Sequence, residues 1–281
     1  MTSRLRITHT STYTYDKPIG SSYNEARLTP AATPWQMPLE SKLTVEAASW
    51  QFPFIDYWGT SVRAFEINRP HTELVLESVS LVEVDGSLQP APKPVTWADL
   101  RQATVQDAFV EYLTPTPSTD PGAEWSALAR EAAAGLEPHD AALAISALLN
   151  NLMTYQPGAT GVHTTAAEAW EERLGVCQDY AHLLVGSLRE LGIPARYVSG
   201  YLHPTRSAPI GVPKVGESHA WVEWWAGAWI GHDPTNNIPS GERHVIVGRG
   251  RDYRDVPPFK GIVAGTAQTE LSVTVEIVRL A

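Results

Sequence analysis

Along the first part of the chain apolar and polar residues alternate. Leu5, Ile7, His9, Ser11, Tyr13 and Tyr15 fall on one side of the pattern, with Arg4, Arg6, Thr8, Thr10, Thr12 and Thr14 on the other. That is the period of a strand with one packed face. Leu43-Thr44-Val45, Val62 to Ile67 and Leu74 to Val84 repeat it, and Asp56-Tyr57-Trp58-Gly59-Thr60 reads as a turn between two such runs. No helical pattern interrupts them, so residues 1–115 are expected to form an antiparallel β-sandwich. Near the other end, Leu271, Val273, Val275 and Ile277 alternate with Ser272, Thr274 and Glu276. This last strand is expected either to return to the sandwich or to extend a downstream sheet.

Between about 90 and 120 the chain passes Pro90, Pro92, Pro94, Pro115, Pro117 and Pro121 and reads as a linker, poor in donors for a helix interior or a central strand. Beyond it the apolar period lengthens. Asp120 and Pro121 open a helix that stops at Gly135, and Pro138 opens another through Leu143, Leu148 and Leu152. Thr165 with Glu168 makes a capping box for a third. A fourth carries Ala181, Leu184, Val185, Leu188 and Leu191 and ends at Gly192 before Pro194. Arg196 to Leu202 and the segments around His219 and Asp233 follow as strands. Residues 116–281 are therefore expected to be an α+β unit, helices packed on an antiparallel sheet.

The fourth helix begins at Cys177, the only cysteine in 281 residues. A thiol in a first turn meets unpaired backbone N–H groups and the positive end of the helix dipole, which favour the thiolate and can later hold an oxyanion. A nucleophile needs a base. The downstream segments Ser218-His219-Ala220-Trp221-Val222-Glu223 and Trp229-Ile230-Gly231-His232-Asp233-Pro234-Thr235-Asn236 supply an imidazole and a carboxylate on consecutive strands. A zinc site built from Cys177, His182, His203, His219 or His232 has no Cys-x-x-Cys or His-x-x-x-His pair to anchor it, and Cys177 and His182 point to different sides of one helix. No metal site is expected.

The net charge of -10 and pI near 5.4 argue against a nucleic acid or an anionic membrane as partner. One cysteine excludes an internal disulfide. Met1 to Arg6 has no apolar run resembling a signal peptide, and no later stretch approaches membrane-spanning length. A cytoplasmic location is expected.

A Cys heading a helix, a His-Ala-Trp-Val strand and an Asp-Pro-Thr-Asn strand end, in that order, resemble the transglutaminase-like superfamily. Tyr13-Thr14-Tyr15, Asp56-Tyr57-Trp58-Gly59 and Gly250 to Pro258 resemble recurring segments of its bacterial members, which carry an amino-terminal β domain. The resemblance implies a papain-like core and a Cys-His-Asp triad, with Cys177 as nucleophile, His219 as base and Asp233 orienting the imidazole. It also implies a peptide or small amide substrate, a thioester acyl-enzyme and no cofactor, and no acidic cluster suggests the calcium used by some animal relatives. Animal transglutaminases have Gln-Cys-Trp at the nucleophile, where this chain has Val176-Cys177-Gln178, so hydrolysis is expected to exceed cross-linking. The rival reading is a non-catalytic peptide-binding module on the same fold. Trp221, on the face of His219, and Tyr155, in a family-typical segment, are the candidate substrate contacts, and Asp179 reads as a capping residue.

Strand parity adds a condition. Opposed residues on antiparallel strands share a face, so a two-residue turn at Ala226-Gly227 would send His219 and Asp233 to opposite sides. An odd-length connection or a compensating bulge is required. It is expected to put His219, Trp221 and Asp233 towards Cys177 and Trp224 away from it.

Overall fold

The computed structural model describes residues 2–46, 48–205 and 208–281, so Met1 lies outside it. Six strands open the chain: β1 (Thr2–Ile19), β2 (Ser22–Ala26), β3 (Gln36–Val45), β4 (Trp50–Ile55), β5 (Ser61–Ile67) and β6 (His71–Asp85). Strands β3, β6 and β1 lie side by side in one sheet and β4, β5 and β2 in another. Alternation turns Tyr15, Phe65, Ile67, Leu74 and Leu76 into the space between them, where they are buried together. Fully burying a side chain of this size contributes about 1.5–3 kcal/mol.

Helices follow: α1 (Trp97–Leu100), α2 (Ala103–Ala108), α3 (Val110–Leu113), α4 (Gly122–Ala132) and α5 (Pro138–Leu152). The first three occupy what reads as a linker. The prolines cluster before residue 95 and after residue 114, so the stretch between can be helical. There Thr96 and Asp99 cap α1 reciprocally, at 2.9 Å and 3.2 Å. The second half continues with β7 (Thr154–Tyr155), α6 (Ala166–Glu172), β8 (Leu174–Gly175) and α7 (Cys177–Glu190). The apolar stripe of α7 puts Leu184, Val185 and Leu188 into a core with Ile145 of α5, Trp125 of α4 and Trp170 of α6. Among the described residues no helix is long and apolar enough to cross a membrane.

The remaining strands are β9 (Ala195–Leu202), β10 (Pro213–Trp225), β11 (Trp229–Asp233), β12 (Ile238–Pro239), β13 (His244–Gly250), β14 (Phe259–Val263) and β15 (Thr269–Arg279). Strand β14 joins the second sheet of the sandwich beside β2. Strand β15 does both things its sequence allowed. It pairs with β1 from Leu5–Arg279 to Tyr15–Thr269, and its last turns pair with β10 from Pro213–Val278 to Gly216–Val275. One sheet thus runs from the sandwich into the helix-bearing half, and the overall class is α+β.

The β10–β11 connection is the three residues Ala226-Gly227-Ala228, closed by Trp225 opposite Trp229, with Gly227 at φ 71° in the left-handed region. This register would place Trp221 opposite Asp233 and His219 opposite Thr235, all on one side. The expected relation to α7 needs correction. The body of the helix covers the face that carries Ala220, Val222 and Trp224, while Trp221 packs on the other face against Val198 and Ile246. Parity says which residues share a face and is silent on which face a helix chooses. The β10–β11 ladder ends at Val222–His232, and beyond it the open edge of β10 lets His219 line the same cleft as Cys177.

Candidate active site

Residue Cys177 is the first of α7, where the leading backbone N–H groups have no acceptor within the helix. Its surroundings are arranged by a short parallel pairing, Thr154–Leu174 and Tyr155–Gly175, which brings Tyr155 alongside the helix start. A Cβ at Gly175 would lie 2.8 Å from the Cβ of Asp179. Glycine there lets the Asp179 carboxylate fold back over the helix end, where it accepts the Val176 N–H at 2.8 Å and the Thr160 hydroxyl at 2.6 Å. Burial pushes the Asp179 carboxyl up, against these hydrogen bonds. Capping is what this side chain visibly does.

The thiol is partly exposed in a cleft of about 480 Å³ whose walls include Tyr13, Tyr197, His219, Leu271 and Val273. Strands β1 and β15 of the sandwich therefore build one side of it. His219 Nε2 lies 2.8 Å from Asp233 Oδ2, which leaves Nδ1 as the nitrogen for Cys177. Burial by itself would depress the imidazole, but the hydrogen bond to Asp233 and the hydrogen bond and charge of Cys177 outweigh it and raise His219 to about 10.

The Asp233 side chain is 0% exposed, and five donors converge on it. His219, His244 at 3.4 Å and Asn236 Nδ2 at 2.7 Å reach Oδ2, while the N–H groups of Thr235 and Asn236 reach Oδ1 at 3.0 Å and 3.2 Å. Burial works to raise this carboxyl. The hydrogen bonds from His219 and His244, with the charge of His219, carry it well below the usual carboxylate range instead. Asn150 of α5 fixes the turn that follows, donating to the carbonyls of Pro234 and Thr235 at 3.0 Å and 2.7 Å.

Sequence reasoning did not find His244. Its Nδ1 accepts the Gly241 N–H at 3.1 Å, so its proton sits on Nε2 and is aimed at Asp233. Burial lowers this imidazole and keeps it neutral. No spacing rule ties the first residue of β13 to a carboxylate on a strand that is not its neighbour. Asn236 stood in the Asp-Pro-Thr-Asn motif, where its side chain could have been read as a partner of Asp233.

The two candidate substrate contacts separate. Trp221 is 0% exposed, stacks near the His219 ring (centroids 6.3 Å, 26°) and meets His244 edge-on (5.2 Å, 69°). It supports the imidazoles from beneath and forms no wall of the cleft. Tyr155 is 43% exposed and lines the cleft. Its hydroxyl donates to Glu217 at 3.3 Å, and burial, Cys177 and Glu217 push the phenol up to about 12. Tyr155 and Glu217 form a ridge bordered by a second depression, also about 480 Å³, which includes His219, Thr235, Asn236 and Arg243.

Residues 5–83 match the bacterial transglutaminase-like N-terminal region, and residues 126–234 match the transglutaminase-like superfamily. An uncharacterized protein of Mycobacterium leprae is 44% identical over 278 residues, 99% of both chains. A protein-glutamine γ-glutamyltransferase of Pseudomonas aeruginosa is 32% identical over 115 residues, 37% of this chain and 17% of that one. The crystal structure of a candidate cysteine protease from Cytophaga hutchinsonii superimposes with a TM-score of 0.79 over 100% of this chain and 92% of that one, at 23% identity. At that identity the likeness is one of fold.

Proposed function

The chain belongs to the transglutaminase-like superfamily, and from that premise we propose that it is a cysteine-dependent amide hydrolase working through a thioester on Cys177. What carries the reading is one imidazole between two partners: His219 is bonded to Asp233 at 2.8 Å and lines the same cleft as the Cys177 sulfur.

In the mechanism the proton rests on His219, and the Cys177 sulfur attacks the amide carbonyl. The oxyanion is held by backbone N–H groups at the start of α7. As the C–N bond breaks, His219 gives its proton to the departing nitrogen, leaving a thioester and a neutral imidazole. That imidazole then takes a proton from water as it attacks the thioester. The C–S bond breaks, the acid departs and the imidazolium is restored. Asp233 fixes the ring through Nε2 and stabilises its charge, and His244 and Asn236 hold Asp233.

Amine in place of water gives acyl transfer, the activity named for the Pseudomonas aeruginosa relative. Hydrolysis is favoured because the segment Val176-Cys177-Gln178 lacks the Gln-Cys-Trp of the cross-linking enzymes. The test is intact-mass analysis after incubation with a glutamine peptide library, followed by partition of the acyl-enzyme between water and a primary amine. An acyl adduct on Cys177, lost in Cys177→Ser and yielding mainly acid at low millimolar amine, is the expected result. Dominant amine product would make the enzyme an acyltransferase, and no adduct would favour a binding role.

A further inference from the structure

The two depressions on either side of the Tyr155–Glu217 ridge are chemically unlike. Cys177 lines the first, with Tyr13, Leu271, Val273 and other largely apolar residues of the sandwich. His219 borders both; the second lacks Cys177 and holds Arg243, Asn236 and Thr235. In acyl transfer through a thiol, the acyl group stays on sulfur while the departing nitrogen takes its proton from the imidazole. The acyl part of a substrate then lies in the first depression, and its amine part in the second, beside His219.

Charge distinguishes this amine side. Among the described residues the Arg243 guanidinium uses only Nη1, donating to the carbonyls of His203 and Pro204 at 3.0 Å and 3.5 Å. Those bonds fix the fork and leave its other N–H groups unengaged. His203 next to it is depressed by burial first and then by the like charges of Arg243, Arg279 and Lys214. Of these three cations Arg243 is the one that lines the depression. Glu217, the acid on the ridge, also borders this depression and accepts the Tyr155 hydroxyl at 3.3 Å. Among the described residues the Thr235 hydroxyl, buried at the same depression, has no hydrogen-bond partner. A planar fork with free donors suits a carboxylate.

We propose that this depression is the amine-side subsite, that it takes an amine bearing a carboxylate, as in an amino acid or the carboxy-terminal residue of a peptide, and that Arg243 determines this specificity. The proposal rests on the catalytic reading given above. The scissile bond is then the amide of a carboxy-terminal residue. Sulfur attacks its carbonyl, the amine leaves with the His219 proton and an unchanged carboxylate on Arg243, and water releases the acyl group.

The experiment uses the full chain acylated with the p-nitrophenyl ester of N-acetylphenylalanine, and breakdown of the acyl-enzyme is timed with leucine or leucinamide as acceptor. Rates are compared per unprotonated amine. Leucine is expected to outpace leucinamide by about tenfold or more, the worth of a charged hydrogen bond. The ratio should fall to about one in Arg243→Gln and recover in part in Arg243→Lys, with the nitrophenol burst reporting acylation in each variant. Equal rates in the unaltered protein, or a ratio unmoved in Arg243→Gln, would overturn the subsite while acyl-Cys177 keeps the catalytic reading intact. Absence of an acyl group on Cys177, with nitrophenol release the same in Cys177→Ser, would overturn both.

Discussion

At the scale of the residue, the proposed chemistry turns on how His219 keeps its proton. Burial opposes the charge, and Asp233 and Cys177 restore it, raising the ring from 6.5 to about 10. Activity on an amide should therefore persist up to an alkaline limb near pH 10. Asp233→Asn should move that limb towards 6.5 and lower kcat about 10³-fold or more. A pH–rate profile checks both, and a limb still near 10 in the variant would remove Asp233 from its role. The same shift bears on stability. With the folded value above the unfolded one, the contribution of the imidazolium is complete below about pH 6.5 and is lost as pH rises through about 10. The pairing of His219 with Asp233 could be anticipated because it depends on loop length and strand alternation, both local. The roles of His244 and Arg243 could not be, since they depend on how β13 comes to lie near residues far from it in sequence.

At the scale of the element, the hairpin that carries His219 and Asp233 is held by a buried ion cluster that spans three strands. Glu223 of β10 accepts from Arg196 of β9 at 2.7 Å and from Arg249 of β13 at 2.8 Å, and Arg196 also lies over the Trp229 ring at 4.0 Å. Removing the acid would strand two arginines, so Glu223→Ala should cost about 3–5 kcal/mol in urea unfolding. Replacing all three by apolar residues of similar size should cost much less, and equal losses would show that packing alone matters there. The helices from α4 to α7 were legible because caps and apolar spacing agreed. The linker helices were hidden by the prolines on either side of them, and the location of Trp221 was misjudged because alternation does not reveal where α7 packs.

At the scale of the molecule, the sequence suggests two units in succession, whereas the structure braids them. Strands β14 and β15 return to the sandwich from the far end of the chain, and Phe259 and Val263 pack against its core. Alternation made the strand character of residues 271–277 plain, but a strand's partners are chosen by tertiary packing that no local pattern records. A fragment of residues 1–115 should therefore fail to give a cooperative urea transition alone and should gain one when mixed with residues 116–281. The full chain should unfold in a single step by tryptophan fluorescence and by circular dichroism. The place of β15 also has a meaning in time. It leaves the ribosome after every other strand described here, yet it lies between β1 and β10. Until it arrives, β1 and the start of β10 wait with open edges, which are templates for pairing with other chains. A chain truncated before residue 269 would lack a wall of the cleft and would carry these sticky edges, so premature termination should yield aggregates without a partly active enzyme.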